Sequence, residues 1–566
     1  MIALSINRRS RKIDAVNNQP TPDLDSNRPS RRRFLQGAGG ALSSPLWTGL
    51  LGCGGNSKVQ LQEARKKAAH RRRRIILDDD GDLCYSDDAK KSIQAFLQQR
   101  LKPAAEVPID SIAWCIMWGI AIGKEETRYW ETQQQGKALN SVLSDPTPIM
   151  VEAGREHDIE IFGSMRMNDT HDSYGMPAGK LIYPLKVQHP EWLIGDESQK
   201  GAVFSTQEAA TWSGLDFAIP EVREDRLWWI RNSVENYDLA GLDLNFFRMP
   251  WYFKPGKEEE GMPLMTELIR SAREVVNRAS ESKGKPVLLG VRTPGTVDTC
   301  RRIGLDIETW LQEGLVDRLL IGGGYTPFNN PAEELVNLGH RYEVPVYPCI
   351  NCGTHIFGSD AAFRGAASNI LWAGGDGIYL WNFHYRKAPK VSYGRPQPKS
   401  YAVLNHIASK EGLKHRDKRF AVDYVQVTSV LGNAGPYSYA CFPGEVPAKL
   451  DGKAKKEIQL RVGDDVAAAE SSGHLDRAEL LLEIGNWSEG DKLTARLNDD
   501  VLESPLPQPA PKESATSEEP AFHLRYSVNG SQVRQGVNQL QVLSQQGEAP
   551  AGPLTLKRVE LEVRYC

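Results

Sequence analysis

The chain has 566 residues, 40% hydrophobic and 25% charged. At about 150 residues per domain, that length calls for more than one structural unit. Its 69 Lys and Arg nearly cancel 72 Asp and Glu, leaving a net charge of −3. This excludes a general nucleic-acid binder, whose affinity rests on an excess of positive charge over phosphates. No run of ~20 apolar residues occurs, so the sequence offers no bilayer-spanning helix.

The first 29 residues are polar and lack an apolar period. Ser30-Arg31-Arg32-Arg33-Phe34-Leu35-Gln36 then precedes a mild apolar stretch from Gly37 to Gly52. The arrangement resembles a twin-arginine export signal. Leu50-Leu51-Gly52-Cys53 is similar to a bacterial lipobox, with Cys53 as the acylated residue. Together they imply export to the periplasm or the outer cell surface, with the folded part held at a membrane surface by acyl chains. The plainer alternatives are a basic solvated tail and a free cysteine in a cleaved leader. The expected organisation is an export signal over 1–53 and a charged tether over 54–72 that ends in Arg71–Arg74.

Eight cysteines are too sparse for a disulfide scaffold. Cys349-Ile350-Asn351-Cys352 is a lone C-x-x-C pair without the second pair that a zinc site needs. Buried thiols or a local disulfide are expected there, with no metal.

From residue 73 the pattern alternates. Short apolar runs around Ile75–Leu77, Ile112–Met117, Glu160–Ser164, Gly241–Phe247, Val287–Val291, Arg318–Ile321, Val344–Pro348 and Gly377–Trp381 each end in Gly, Pro or polar residues. Helical stretches such as 221–237, 264–282, 332–341 and 361–373 separate many of them. Alternation of strand and helix implies parallel strands buried on both faces, and eight such units predict a closed (β/α)8 TIM barrel over 73–415. A doubly wound sheet is the alternative, but no G-x-G-x-x-G supports a dinucleotide site. After about Val422 the period falls to two, in Ile458–Val462, Leu493–Leu497, Leu540–Val542 and Val559–Val563. That predicts an antiparallel β-sandwich over 416–566. Gly536-Val537-Asn538-Gln539-Leu540 resembles a turn-and-strand signature of jelly-roll carbohydrate-binding modules.

The strand ends carry the chemistry. Arg166, Asn168, Asp169, His171 and Asp172 follow the third run. Asp243 and Asn245 share a side of the fourth, with Arg248 beyond it, and Asp78, Asp80 and Asp82 share a side of the first. Arg292, Tyr325, Asn351, Trp381, Asn382 and His384 complete the predicted rim. Carboxylates, amides, guanidinium groups and rings suit a sugar, whose hydroxyls are read by hydrogen bonds and whose C–H face packs on rings.

Several stretches match a known pattern. They are Arg166-Met167-Asn168-Asp169, His189-Pro190-Glu191-Trp192, Leu215–Arg223, Tyr237–Pro250, and the opening Arg73-Arg74-Ile75-Ile76 with Asp79-Asp80-Gly81-Asp82. They resemble the glycoside-hydrolase-like family 10 barrels of exported bacterial proteins over roughly residues 73–390. The resemblance implies a glycosidase-like barrel acting on a polysaccharide or oligosaccharide without a cofactor. Relatives often read Gly-Ile-Glu-Leu-Asp-Phe on the fourth strand, where this chain has Asp243 and Asn245. Glycoside cleavage usually needs two carboxyl groups. Asp243 is the expected first, and the second is expected from Asp80, Asp82, Asp169 or Asp172, with His171 assisting proton transfer. Two rivals remain. One is a non-catalytic carbohydrate-binding lipoprotein, suggested by Asn245 and Asn351. The other is a metal-dependent hydrolase using the Asp78–Asp82 cluster.

Overall fold

A computed structural model describes residues 54–79, 92–116, 146–170, 183–199, 211–323, 326–352, 359–381, 383, 401–422, 445–452, 455–510, 521–547 and 552–566. Strands β1 (Ile75–Asp79), β2 (Ser111–Cys115), β3 (Glu160–Arg166), β4 (Gly241–Asn245), β5 (Leu288–Thr293), β6 (Arg318–Ile321), β7 (Val346–Asn351) and β8 (Ile378–Trp381) form a closed barrel, each pairing in parallel with the next and β8 with β1. The fold is a TIM barrel followed by an antiparallel sandwich, as the sequence pattern predicts.

The strands read as unbroken apolar runs because both faces are buried, yet the two faces pack separately. Ile75, Leu77, Ile112, Trp114, Leu242, Leu244, Leu289 and Val291 point outward into the core shared with the helices. Their alternates Ile76, Ala113, Leu320, Tyr347, Cys349, Tyr379 and Trp381 make a second cluster inside the barrel. Period two thus survives in the packing although the sequence hides it.

Helices wrap the barrel where local signals place them. We number α1 (Gly54–Ala69), α2 (Ile93–Arg100), α3 (Pro146–Glu156), α4 (Pro220–Asn236), α5 (Glu258–Lys283), α6 (Val297–Arg302), α7 (Ile307–Gln312), α8 (Glu333–Arg341), α9 (Asp360–Trp372), α10 (Val403–Ile407) and α11 (Lys410–Leu413). α5 opens on Glu258, Glu259 and Glu260, which favour the positive end of the helix dipole. It stops at Gly284, whose φ of 63° closes the last turn through bonds to the Ser280 and Glu281 carbonyls. Thr296 caps α6 with a reciprocal capping box, and Ser359 caps α9.

Residues 54–69 are a helix, not the tether expected from their charge. α1 lies against the opening at the N-terminal ends of the strands, where Ala69 packs with Phe162 and Leu288. Arg65 reaches Asp317 at 2.8 Å. The wholly buried Arg73 donates to both carboxylate oxygens of Glu160 and to the carbonyls of Ala68, Ala69 and Arg71. Its guanidinium also lies 5.5 Å from the Phe162 ring centroid.

The C-terminal part stacks two antiparallel sheets. One runs β10 (Ala448–Leu450), β18 (Leu554–Tyr565), β12 (Leu475–Gly485), β16 (Ala521–Val528), β15 (Gln508–Pro509), with β9 (Lys418–Val422) also pairing with β18. The other runs β11 (Lys456–Val462), β17 (Gly536–Gln545), β13 (Lys492–Leu497), β14 (Asp500–Val501). Asn329 bridges barrel and sandwich, donating to the Gln459 carbonyl and accepting from the Arg461 amide. Asn369 does the same with the Arg461 carbonyl and the Gly463 amide. Buried polar pairing of this kind fixes the joint.

Candidate active site

Register assigns heights inside the barrel. Following the paired residues strand by strand, with the tilt of a TIM barrel, places Asp78, Ser164, Arg292 and Cys349 of the odd strands in one interior layer. Ala113, Asp243, Leu320 and Tyr379 of the even strands lie beneath them. Cys115, Asn245 and Trp381 lie above, and Arg166 and Asn351 stand higher still at the C-terminal mouth, where barrel sites are built.

The floor of this mouth is a charged cluster. The Tyr379 hydroxyl donates to Asp78 Oδ1. Arg292 Nη1 lies 3.2 Å from the Tyr379 oxygen and 3.4 Å from Asp78 Oδ1, while its Nε donates to the Gly322 carbonyl at 2.9 Å. Arg292 also stacks over the Tyr379 ring, 5.1 Å from its centroid. Burial pushes the Tyr379 hydroxyl well above the usual phenol range; Arg292 opposes the shift and Asp78 adds to it. The phenol therefore stays a proton donor to Asp78. Cys349, in the same layer, is pushed up by burial, so it is an inert thiol.

Asp243 does not stand where the sequence reading put it. It lies one layer below Asp78, and both of its oxygens are held by Arg318, Nε donating to Oδ1 at 2.8 Å and Nη2 to Oδ2. Arg318 enters from the first residue of β6, deep in the barrel, with its guanidinium 3.3 Å from the centroid of the Phe162 ring. Gly290, between the two on β5, leaves the space that the carboxylate fills. Asp243 and Asp78 are both buried, at 1% and 2% exposed. What distinguishes them is that Asp243 lies one layer farther from the mouth and has both of its oxygens bound by Arg318.

The other predicted residues divide. Arg166 Nη1 bonds Asp169 Oδ2 at 2.9 Å, and both are buried at the mouth. Asn168 is a bracket: its amide donates to the carbonyls of Leu215 and Trp251, and its oxygen accepts from the amides of Asp169 and Leu215. A fully used side chain of this kind holds the loops and is not left to read a ligand. Asn245 likewise turns the chain by accepting from the Phe247 amide at 3.0 Å. Arg292 belongs to the floor, Asn351 donates to the Thr326 carbonyl at 3.3 Å, and Trp381 is buried with its indole N–H unbonded. Arg248 is half-buried beyond β4. Cys53, Asp80, Asp82, His171, Asp172, Tyr325, Asn382 and His384 lie outside the described residues.

Of the Asp78–Asp82 cluster, only Asp78 and Asp79 are among the described residues. Asp78 faces inward onto a guanidinium. Asp79 faces outward and pairs with Arg100 at 3.2 Å. Among the described residues no group of three or more His, Cys, Asp or Glu is arranged to hold a metal. Cys349 and Cys352 are separate buried thiols.

The sequence reading passed over Tyr379 and Arg318, and named Asp78 without placing it on the floor. The signal for two of them was present. Asp78 precedes Asp80, and Tyr379 precedes Trp381, by the two residues that keep a side chain inside a barrel.

No family profile and no curated protein matches the sequence. Solved structures do. A cycloisomaltooligosaccharide glucanotransferase from a Paenibacillus species is 10% identical with a TM-score of 0.31, over 87% of this chain and 57% of that one. An α-L-fucosidase from Paenibacillus thiaminolyticus is 14% identical with a TM-score of 0.35, over 62% of this chain and 52% of that one. The glycoside hydrolase domain of PgaB from Bordetella bronchiseptica is 9% identical with a TM-score of 0.34, over 56% of this chain and 96% of that one. The chain therefore spans little more than half the length of the first two. At these identities and scores the likenesses do not bear on the chemistry of the site.

Proposed function

We propose that the chain is an exported carbohydrate-active barrel that hydrolyses glycosidic bonds of a polysaccharide or oligosaccharide by carboxylate chemistry. The observation that supports this reading is the mouth itself: Asp78 with Tyr379 and Arg292 on the floor, the Trp381 ring above, and the Arg166–Asp169 pair and Asn351 at the rim. Hydrogen-bonding groups beside an aromatic ring are what a sugar requires. Asp78 replaces Asp243 as the carboxylate beside the reacting carbon. Tyr379 and Arg292 orient it, and the proton donor comes from Asp169, Asp80 or Asp82. Hydrolysis of a glycan panel should survive a chelator and fall about 10²–10⁴-fold in Asp78→Asn, assayed at a temperature where the variant is still fully folded because the change breaks a buried pair with Arg292. Unaltered turnover in that variant would remove Asp78 from the mechanism.

A second reading is binding without turnover. Asp78, Asp169 and Asp243 are each paired with an arginine, and the second acidic position of relatives is Asn245. Glycan recovered intact from a saturable complex would favour it. Export and acylation belong to the same proposal and rest on residues 31–53. Palmitate incorporation should be present in the wild type and absent from Cys53→Ser.

A further inference from the structure

A cleft of about 530 Å³ opens at the joint of barrel and sandwich, away from the strand-end mouth. Its walls include Trp372, Lys410, Glu411, Lys414, Asp464 and Gln535. That volume lies in the range of small-molecule sites, about 300–1,000 Å³. Trp372, the last residue of α9, is only half-buried, so the core does not need its whole ring. Its indole is nevertheless fixed. Gly536 presses a bare Cα against it, and a Cβ there would come within 2.6 Å of Cζ2 and 3.0 Å of Cη2. The φ of 111° at Gly536 also disfavours any other residue. The turn is held from behind by Asn538, which accepts from the Arg534 amide and donates to the Arg534 and Gly536 carbonyls. The Gly536–Leu540 motif of the sequence thus locks an aromatic ring at the rim of a polar cleft.

The charges are unevenly matched. Asp464 is neutralised by the fully buried Lys418 at 2.6 Å, and also accepts from Ser368 and Tyr565. Lys410 and Lys414 are exposed and form no ion pair among the described residues, with Glu411 the remaining acid on the wall. A pre-set ring, two unpaired ammonium groups and the Gln535 amide form a surface for a sugar that carries negative charge.

We propose that this cleft is a second binding site, for an oligosaccharide bearing carboxylate or sulfate groups. One pyranose packs on Trp372 and its anionic substituents meet Lys410 and Lys414. The ligand class leans on the reading of the barrel as carbohydrate-active; the site itself does not. The test is titration calorimetry of the full chain with three tetrasaccharides: a uronic-acid tetramer, a sulfated tetramer and a neutral one of matched length. At least one anionic tetramer should bind, and the neutral one should bind at least about tenfold more weakly. The exposed pair change Lys410→Glu with Lys414→Glu should weaken the anionic ligand by about tenfold or more, with Tm unchanged. Trp372→Ala should weaken it too, and Trp372→Phe should restore part of the loss. Asp78→Asn should leave this affinity intact, which separates failure here from failure of the barrel proposal. No binding of either anionic tetramer at millimolar concentration, or affinity indifferent to the lysine reversals, overturns the site.

Discussion

Asp243 and Arg318 show how one side chain's role depends on what lies beneath it. A carboxylate on the fourth strand of a glycosidase-like barrel invites a catalytic role. Here Gly290 makes room for it and Arg318 takes both oxygens. Removing one partner of a buried ion pair leaves an uncompensated charge, at a cost of about 3–5 kcal/mol. Arg318→Met should therefore lower the urea stability by that amount, and Asp243→Leu combined with Arg318→Met should recover much of it. Equal stability of the single variant and the wild type would show that Asp243 is solvated after all. Asn168 teaches the same lesson, because an amide with both ends committed to backbone is a bracket even beside a binding mouth.

At the scale of elements, α1 is the clearest departure from sequence reading. Its charges looked like solvated tether, but they are the means by which the helix is fastened. Arg65 pairs with Asp317, and Arg73 staples the helix end to β3 through Glu160. Arg73→Ala deletes a fully buried guanidinium that satisfies three carbonyls and a carboxylate, and should cost about 3–5 kcal/mol in denaturant unfolding. Limited proteolysis should then begin within 54–72 before it touches the barrel strands. Simultaneous release of strands and helix would contradict the stapling role.

Residues Gly54–Cys566 form one compact unit, so the joint between barrel and sandwich matters to its stability. At that joint His415, held at a φ of 50°, stacks on His474 with 3.8 Å between ring centroids, and Tyr565 lies 6.0 Å away. Desolvation first, and then the charges of His474, Lys414 and Lys418, hold His415 below its ordinary value, with Asp464 opposing. A depressed folded value means the neutral imidazole is favoured in the native state. Its contribution is complete above the unfolded value of about 6.5 and is lost as pH falls below it. Tm should drop between pH 7.5 and pH 5, and His415→Gln should flatten that slope. A slope unchanged in the variant would assign the effect to other groups.

The periodicities carried the architecture without help. Strand–helix alternation and the switch to period two after about Val422 are consequences of local burial, and local burial is written in neighbouring residues. The rim residues Arg166, Asp169, Asn351 and Trp381 were legible because strand ends can be read from the same pattern. Pairings across the barrel were not. Asp78 meets Arg292 over 214 positions, Tyr379 meets Asp78 over 301, and Arg318 meets Asp243 over 75. Which layer each carboxylate occupies and which arginine it meets depend on register, set by closure of all eight strands, and no segment contains that information alone.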